Sequence, residues 1–102
     1  MKIIWSKTAL LQLEDIYKIY ADLESKTYSK ILSQNILNRT KILFEFPEIG
    51  AKQEFTEKTE KEYRYLIEAN YKIIYYLTEN DVNILIIFDT RQEPNKLNRF
   101  LK

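Results

Sequence analysis

The stretch from Glu62 to Pro94 constrains the fold more than any other part of this sequence. Tyr63-Arg64-Tyr65-Leu66-Ile67, Tyr71-Lys72-Ile73-Ile74-Tyr75-Tyr76-Leu77 and Val82 to Arg91 hold most of the β-branched and aromatic residues, and short polar breaks separate them. Runs of this composition and spacing predict three consecutive antiparallel strands joined by tight turns. Arg64, Lys72, Asp89 and Arg91 interrupt the runs, where a purely structural sheet favours uncharged residues.

The turns fix which side chains share a face. Asn80-Asp81 predicts a two-residue hairpin turn, because Asn and Asp tolerate positive φ. In that register Leu77 faces Ile84, Tyr75 faces Ile86, Ile73 faces Phe88 and Lys72 faces Asp89. A three-residue first turn, Glu68-Ala69-Asn70, pairs Ile67 with Tyr71, Leu66 with Lys72 and Arg64 with Ile74. Tyr63, Tyr65, Ile67, Tyr71, Ile73, Tyr75, Leu77, Ile84, Ile86 and Phe88 then form the face that packs on helices. Arg64, Lys72, Asp89 and Arg91 gather on the exposed face. Opposite neighbours lie about 5 Å apart, so the three cations can converge on one anion. A two-residue first turn would instead send Arg64 to the other face. The spacing also fits a plain Lys72–Asp89 ion pair with Arg64 and Arg91 solvated, and does not decide between these readings.

Upstream, Lys2 to Trp5 is a short strand-like run ending at Ser6, a good helix N-cap. Ala9, Leu13, Ile16, Tyr17, Tyr20 and Leu23 recur at spacings of three and four, one stripe along a helix. Leu10, Leu11 and Ile19 lie off it, either widening the buried face or offering a docking surface. Ser25 to Thr27 breaks the pattern, and Tyr28, Leu32, Ile36, Leu43 and Phe46 continue it in a second helix that ends around Phe44 to Phe46, before Pro47 and Gly50. The short connection makes the two an antiparallel helical hairpin. Residues 51–61 read as an exposed connection. The predicted fold class is therefore α+β over residues 1–102 as one domain: N-terminal strand, helical hairpin, three-stranded antiparallel sheet packed on the helices, and a short C-terminal tail.

Composition narrows the chemistry. The net charge is +1, from 16 Lys plus Arg against 15 Asp plus Glu, whereas a protein that grips nucleic acid through phosphates carries a clear basic excess. With no Cys and no His there is no thiol nucleophile, zinc-thiolate site, serine-histidine pair or histidine metal site. No cofactor and no membrane partner are expected, and the location expected is the cytoplasm. Eight Tyr fit half-buried sheet packing or an aromatic interaction surface.

Five segments, in order, resemble the RelE/ParE superfamily of toxins from bacterial type II toxin-antitoxin modules, on its ParE side. They are Trp5-Ser6 before a helix containing Ala9, Leu43-x-x-Phe46-Pro47-x-x-Gly50, Tyr63-Arg64-Tyr65-Leu66, Asn70-Tyr71-Lys72-Ile73-Ile74-Tyr75, and Phe88-Asp89-Thr90-Arg91-Gln92-x-Pro94. The resemblance implies a growth-arresting toxin neutralised by a cognate antitoxin. ParE-like members inhibit DNA gyrase, and RelE-like members cut mRNA in the ribosome without a metal. Arg64, Lys72 and Arg91 match family positions that carry cations in the nucleases, so in that alternative they would be catalytic; with Gln92 they are the expected target-binding residues. Leu66 stands where a second strand cation is expected, and the tail from Asn95 has no Tyr to match the nuclease one. The ParE-like reading is therefore preferred. A non-catalytic module that only binds antitoxin is a third reading. Leu10, Leu11 and Ile19 are the expected antitoxin-binding residues.

Overall fold

The structure, a computed structural model, describes residues 1–55 and 58–100. Thr56 and Glu57 of the expected 51–61 connection, and Leu101 and Lys102 of the tail, lie outside the described residues. The elements run β1 (Lys2–Trp5), α1 (Lys7–Leu23), α2 (Lys26–Thr40), a 3-10 turn (Lys41–Phe44), β2 (Ala51–Gln53), β3 (Tyr63–Glu68), β4 (Tyr71–Leu77), β5 (Asp81–Asp89) and a 3-10 helix (Pro94–Phe100). The α+β class stands, and the sheet is larger than the three-strand expectation, with five strands ordered β1-β5-β4-β3-β2. Strand β1 lies parallel to β5, and the other neighbours are antiparallel. Strand β2 occupies part of the segment expected to be an exposed connection, completing the sheet beside β3.

Serines cap both helices. Ser6 Oγ accepts from the Ala9 N–H at 2.9 Å and Ser25 Oγ from the Tyr28 N–H at 3.0 Å, each satisfying a donor that the first helical turn leaves free. Ser6 also donates to the Leu85 carbonyl at 2.6 Å, tying the start of α1 to the middle of β5. Helical conformation stops at Phe44 as expected, with a last turn of 3-10 form from Lys41. Leu23 leaves the expected stripe: it is 75% exposed at the end of α1, while Ala9 and Ile16 are buried.

Both turns differ from their expected lengths, and the faces change with them. The first turn has only Ala69-Asn70 between the paired Glu68 and Tyr71, with Ala69 at a φ of 52°. That shift of one residue puts Arg64 opposite Tyr75 and Lys72 opposite Ile67. At the second turn Leu77 pairs with Val82, and the Thr78 N–H donates to the Asp81 carbonyl at 3.0 Å, so the loop is longer than Asn80-Asp81 alone. The register then jumps between Ile74 and Tyr75, leaving Leu85 as the extra residue of a β-bulge.

Because of these shifts, Tyr71, Ile73, Tyr75 and Ile84 face the helices as predicted, whereas Tyr63, Tyr65, Ile67, Ile86 and Phe88 do not. Leu66, expected on the face of Lys72, joins the helix-side core with Ile87, Ile16, Leu32, Ile36 and Leu43. The outer face has an apolar cluster of its own: Tyr63, Ile74, Ile86, Phe88 and Leu97, with Phe55, Tyr65 and Phe100 packed against it. The tail closes that cluster. In a 3-10 helix, side chains three apart align, so Leu97 and Phe100 turn the same way, back onto the sheet.

Candidate functional site

The three cations expected to meet on one face are dispersed. Arg64 and Lys72 leave the sheet on opposite sides, because Arg64 pairs with Tyr75, Lys72 with Ile67, and the 75 and 72 positions differ by an odd number of residues. Arg91 lies beyond the end of β5. The expected convergence on one anion is thus overturned by a first turn one residue shorter than predicted. The expected Lys72–Asp89 pairing is also absent, since Lys72 pairs with Phe88 and Asp89 with Tyr71.

Each cation has separate work. Arg64 Nη1 donates to the Glu48 and Gly50 carbonyls at 3.1 and 2.9 Å, and Nη2 donates to Glu62 at 3.2 Å, so its fork holds the loop before β2 against β3. Tyr75 grips the same loop from below: its buried hydroxyl donates to the Pro47 carbonyl at 2.7 Å and accepts from the Gly50 N–H at 2.9 Å. Burial pushes the Tyr75 phenol up from its ordinary pKa, against the Gly50 hydrogen bond.

Arg91 folds back on Asp89. Its Nε and Nη2 donate to the two carboxylate oxygens at 2.9 and 2.8 Å, a bidentate fork, and its backbone N–H adds a third bond at 2.9 Å. That guanidinium holds the Asp89 carboxyl below its ordinary range, outweighing burial. Nη2 also reaches the Tyr20 hydroxyl at 3.3 Å, and Tyr71 donates to the same oxygen at 3.4 Å. The hydrogen bonds from Tyr71 and Arg91 lower the Tyr20 pKa, while burial raises that of Tyr71. Gln92 is exposed, and its backbone N–H donates to the Asp89 carbonyl at 3.0 Å.

Lys72 stands on the outer face. Its Nζ donates to Gln53 Oε1 at 3.0 Å and lies 4.2 Å from the centroid of the Tyr65 ring. It borders a cavity of about 110 Å³ shared with Phe88, Thr90, Pro94 and Leu97. That is well below the several hundred Å³ of a typical small-molecule site. No carboxylate of the described residues forms an ion pair with it. Chemically, the arrangement gives one cation in a small cleft and two arginines committed to other groups.

On the helices, Leu10, Leu11 and Ile19 are 52%, 52% and 51% exposed. The parts sequence reasoning missed are Tyr20 and Gln53, partners of Arg91 and Lys72, and Tyr75 as the clasp of the loop. Tyr20 sits in the apolar stripe of α1, where nothing sets it apart from a core residue.

An N-terminal strand, a helical hairpin and an antiparallel sheet on one side of it, with this order of elements, define a RelE/ParE-type toxin fold. The solved structures include a chain of the chromosomal ParDE toxin-antitoxin system from P. aeruginosa that shares it, with a TM-score of 0.71, 21% identity, and coverage of 87% of this chain and 95% of that one. No curated protein matches the sequence significantly. The family model for the ParE toxin of the type II toxin-antitoxin system parDE matches residues 3–94. The chain belongs to the ParE toxin family.

Proposed function

We propose that this chain, acting as one unit over residues 1–102, arrests growth in the cytoplasm by binding and inhibiting DNA gyrase, and that a cognate antitoxin neutralises it. Family membership supplies the toxin class. The observation that carries the choice between binding and cutting is the dispersal of Arg64, Lys72 and Arg91. Metal-independent RNA cleavage needs a base, an acid and cations around one phosphate. Here Arg64 and Lys72 leave opposite faces of the sheet, and both arginines are hydrogen-bonded to other groups. This favours a protein that works by recognition, with Lys72, Arg91 and Gln92 at the target-facing end and no catalytic residue required.

Expression of the chain alone, with plasmid supercoiling and the integrity of a reporter mRNA followed together, tests the reading. Loss of negative supercoiling with intact mRNA is expected. Cleaved mRNA selects the nuclease alternative, and arrest of neither process leaves an antitoxin-binding module.

The half-exposed Leu10, Leu11 and Ile19 are the proposed antitoxin-docking residues. Burying a Leu side chain is worth about 1.5–3 kcal/mol, so replacing Leu10 and Leu11 with Ser should weaken antitoxin binding by tenfold or more, on the scale of about 1.4 kcal/mol per decade. Titration calorimetry on the folded double variant checks this, and unchanged affinity rejects the surface.

A further inference from the structure

The loop between α2 and β2 holds a group of apolar side chains that folding leaves in the open. Phe46 and Ile49 are 55% and 51% exposed, and Met1, ahead of β1, is 59% exposed. With Pro47 and Leu77 they line an open groove of about 690 Å³. Single exposed apolar residues are ordinary, but a contiguous apolar patch rimmed by polar groups marks an interaction site.

The groove is held in shape. The Tyr75 hydroxyl bonds Pro47 and Gly50, the Arg64 guanidinium bonds Glu48 and Gly50, and the Ile49 N–H donates to the Phe46 carbonyl at 3.1 Å. A loop fastened at successive carbonyls presents Phe46 and Ile49 in fixed positions, which lowers the ordering cost of binding. Arg64, which the family resemblance implied as a target-binding residue, here holds this loop in position.

The ionisable side chains lining the groove are Glu45, Glu48 and Glu79, all carboxylates. None of the three forms an ion pair with a described residue. An excess of negative charge remains when the amino group of Met1 is counted as a cation. The groove stands where β4 runs out at Leu77, at the opposite end of that strand from Lys72, and it shares no residue with Leu10, Leu11 and Ile19.

We propose that this groove docks a protein segment in which an apolar anchor is flanked by lysine or arginine. The anchor sits between Phe46, Ile49 and Leu77, and the cations meet the three glutamates of the rim. The charge complementarity selects basic segments over acidic ones and makes association salt-dependent. The proposal does not depend on the cellular target of the toxin.

Binding of two fluorescein-labelled peptides of equal length to the full chain tests it by anisotropy. Both carry the same Leu and Phe anchors, one with Lys and Arg flanks and the other with Glu flanks. The basic peptide should bind, weaken as salt rises, and lose roughly tenfold in affinity to a Glu45→Lys, Glu48→Lys variant whose circular dichroism is unchanged. An Ile49→Ser variant should lose it as well. Equal binding of the two peptides, no binding of either, or indifference to the charge reversal overturns the proposal.

Discussion

Gly50 is required by what surrounds it, because its φ is not in the left-handed region that usually favours glycine. A Cβ there would lie 2.6 Å from the Tyr75 hydroxyl oxygen, 2.7 Å from Tyr75 Cε1 and 2.9 Å from the Tyr65 carbonyl. The Tyr75 ring is fully buried, and its hydroxyl is held by hydrogen bonds to Pro47 and Gly50. Gly50→Ala should therefore destabilise the fold by about 1–3 kcal/mol, the usual cost of overpacking, read as a lower urea midpoint. Ala69 presents the reverse case. At a φ of 52° it occupies the turn position that glycine prefers, at a cost of roughly 1 kcal/mol for a residue with a Cβ. Ala69→Gly should recover about that amount in the same measurement.

At the scale of elements, every strand but β2 could be read from composition, while the register depended on single residues. Tyr71 to Leu77 and Val82 to Asp89 are apolar enough to declare themselves strands. Glu68, however, reads as well in a turn as in a strand, and pairing it with Tyr71 moved Arg64 to the other face. Leu85 gives no sign of being a bulge residue in a run of aliphatics, yet the bulge lets β5 send Ile84 to the helices and Ile86 to the outer cluster. Strand β2, Ala51-Lys52-Gln53, has no β pattern at all and forms because β3 offers it an open edge.

The sheet face against the helices has a consequence for pH. Tyr71 and Tyr75 both keep their phenols neutral in the fold, through burial first, and both pKa values lie above the ordinary 10.0. Below that value the phenols are protonated in the folded and unfolded chain alike, and stability is undiminished. As pH rises through it the unfolded chain ionises first, so stability falls. Tyr20, whose pKa is lowered, acts in the opposite direction and only partly offsets this. Denaturant unfolding should show stability dropping from about pH 9 to about pH 11, with a shallower drop in Tyr71→Phe.

On the scale of the whole molecule, the decisive feature is a set of charges that do not meet. The family and its fold were legible because five short segments keep their order along the chain, and the matched residues 3–94 span them all. The candidate site was less legible. Arg64, Lys72 and Arg91 stand out as cations interrupting apolar runs, although Arg91 falls beyond the end of β5, and whether they share a face follows from turn lengths that composition leaves open. Leu10, Leu11 and Ile19 fall off the stripe of α1, which fits a wider buried face as well as an exposed one, and their half-exposure had to be seen in the fold. The apolar groove at Phe46 and Ile49 could not be anticipated, because Phe46 reads as the end of a helix and Ile49 as part of the break between Pro47 and Gly50.

A double-mutant cycle on growth arrest tests the central claim most directly. Arrest strength is compared at equal expression for the parent, Lys72→Ala, Arg91→Ala and the double variant. Groups on separate sites act independently, so the account predicts that the two effects add, with a coupling below about 0.5 kcal/mol. Residues of one catalytic unit behave otherwise, each single loss costing nearly as much as both. If either single substitution abolishes arrest as fully as the pair, in variants that remain folded, Lys72 and Arg91 serve one phosphate and the binding account is wrong.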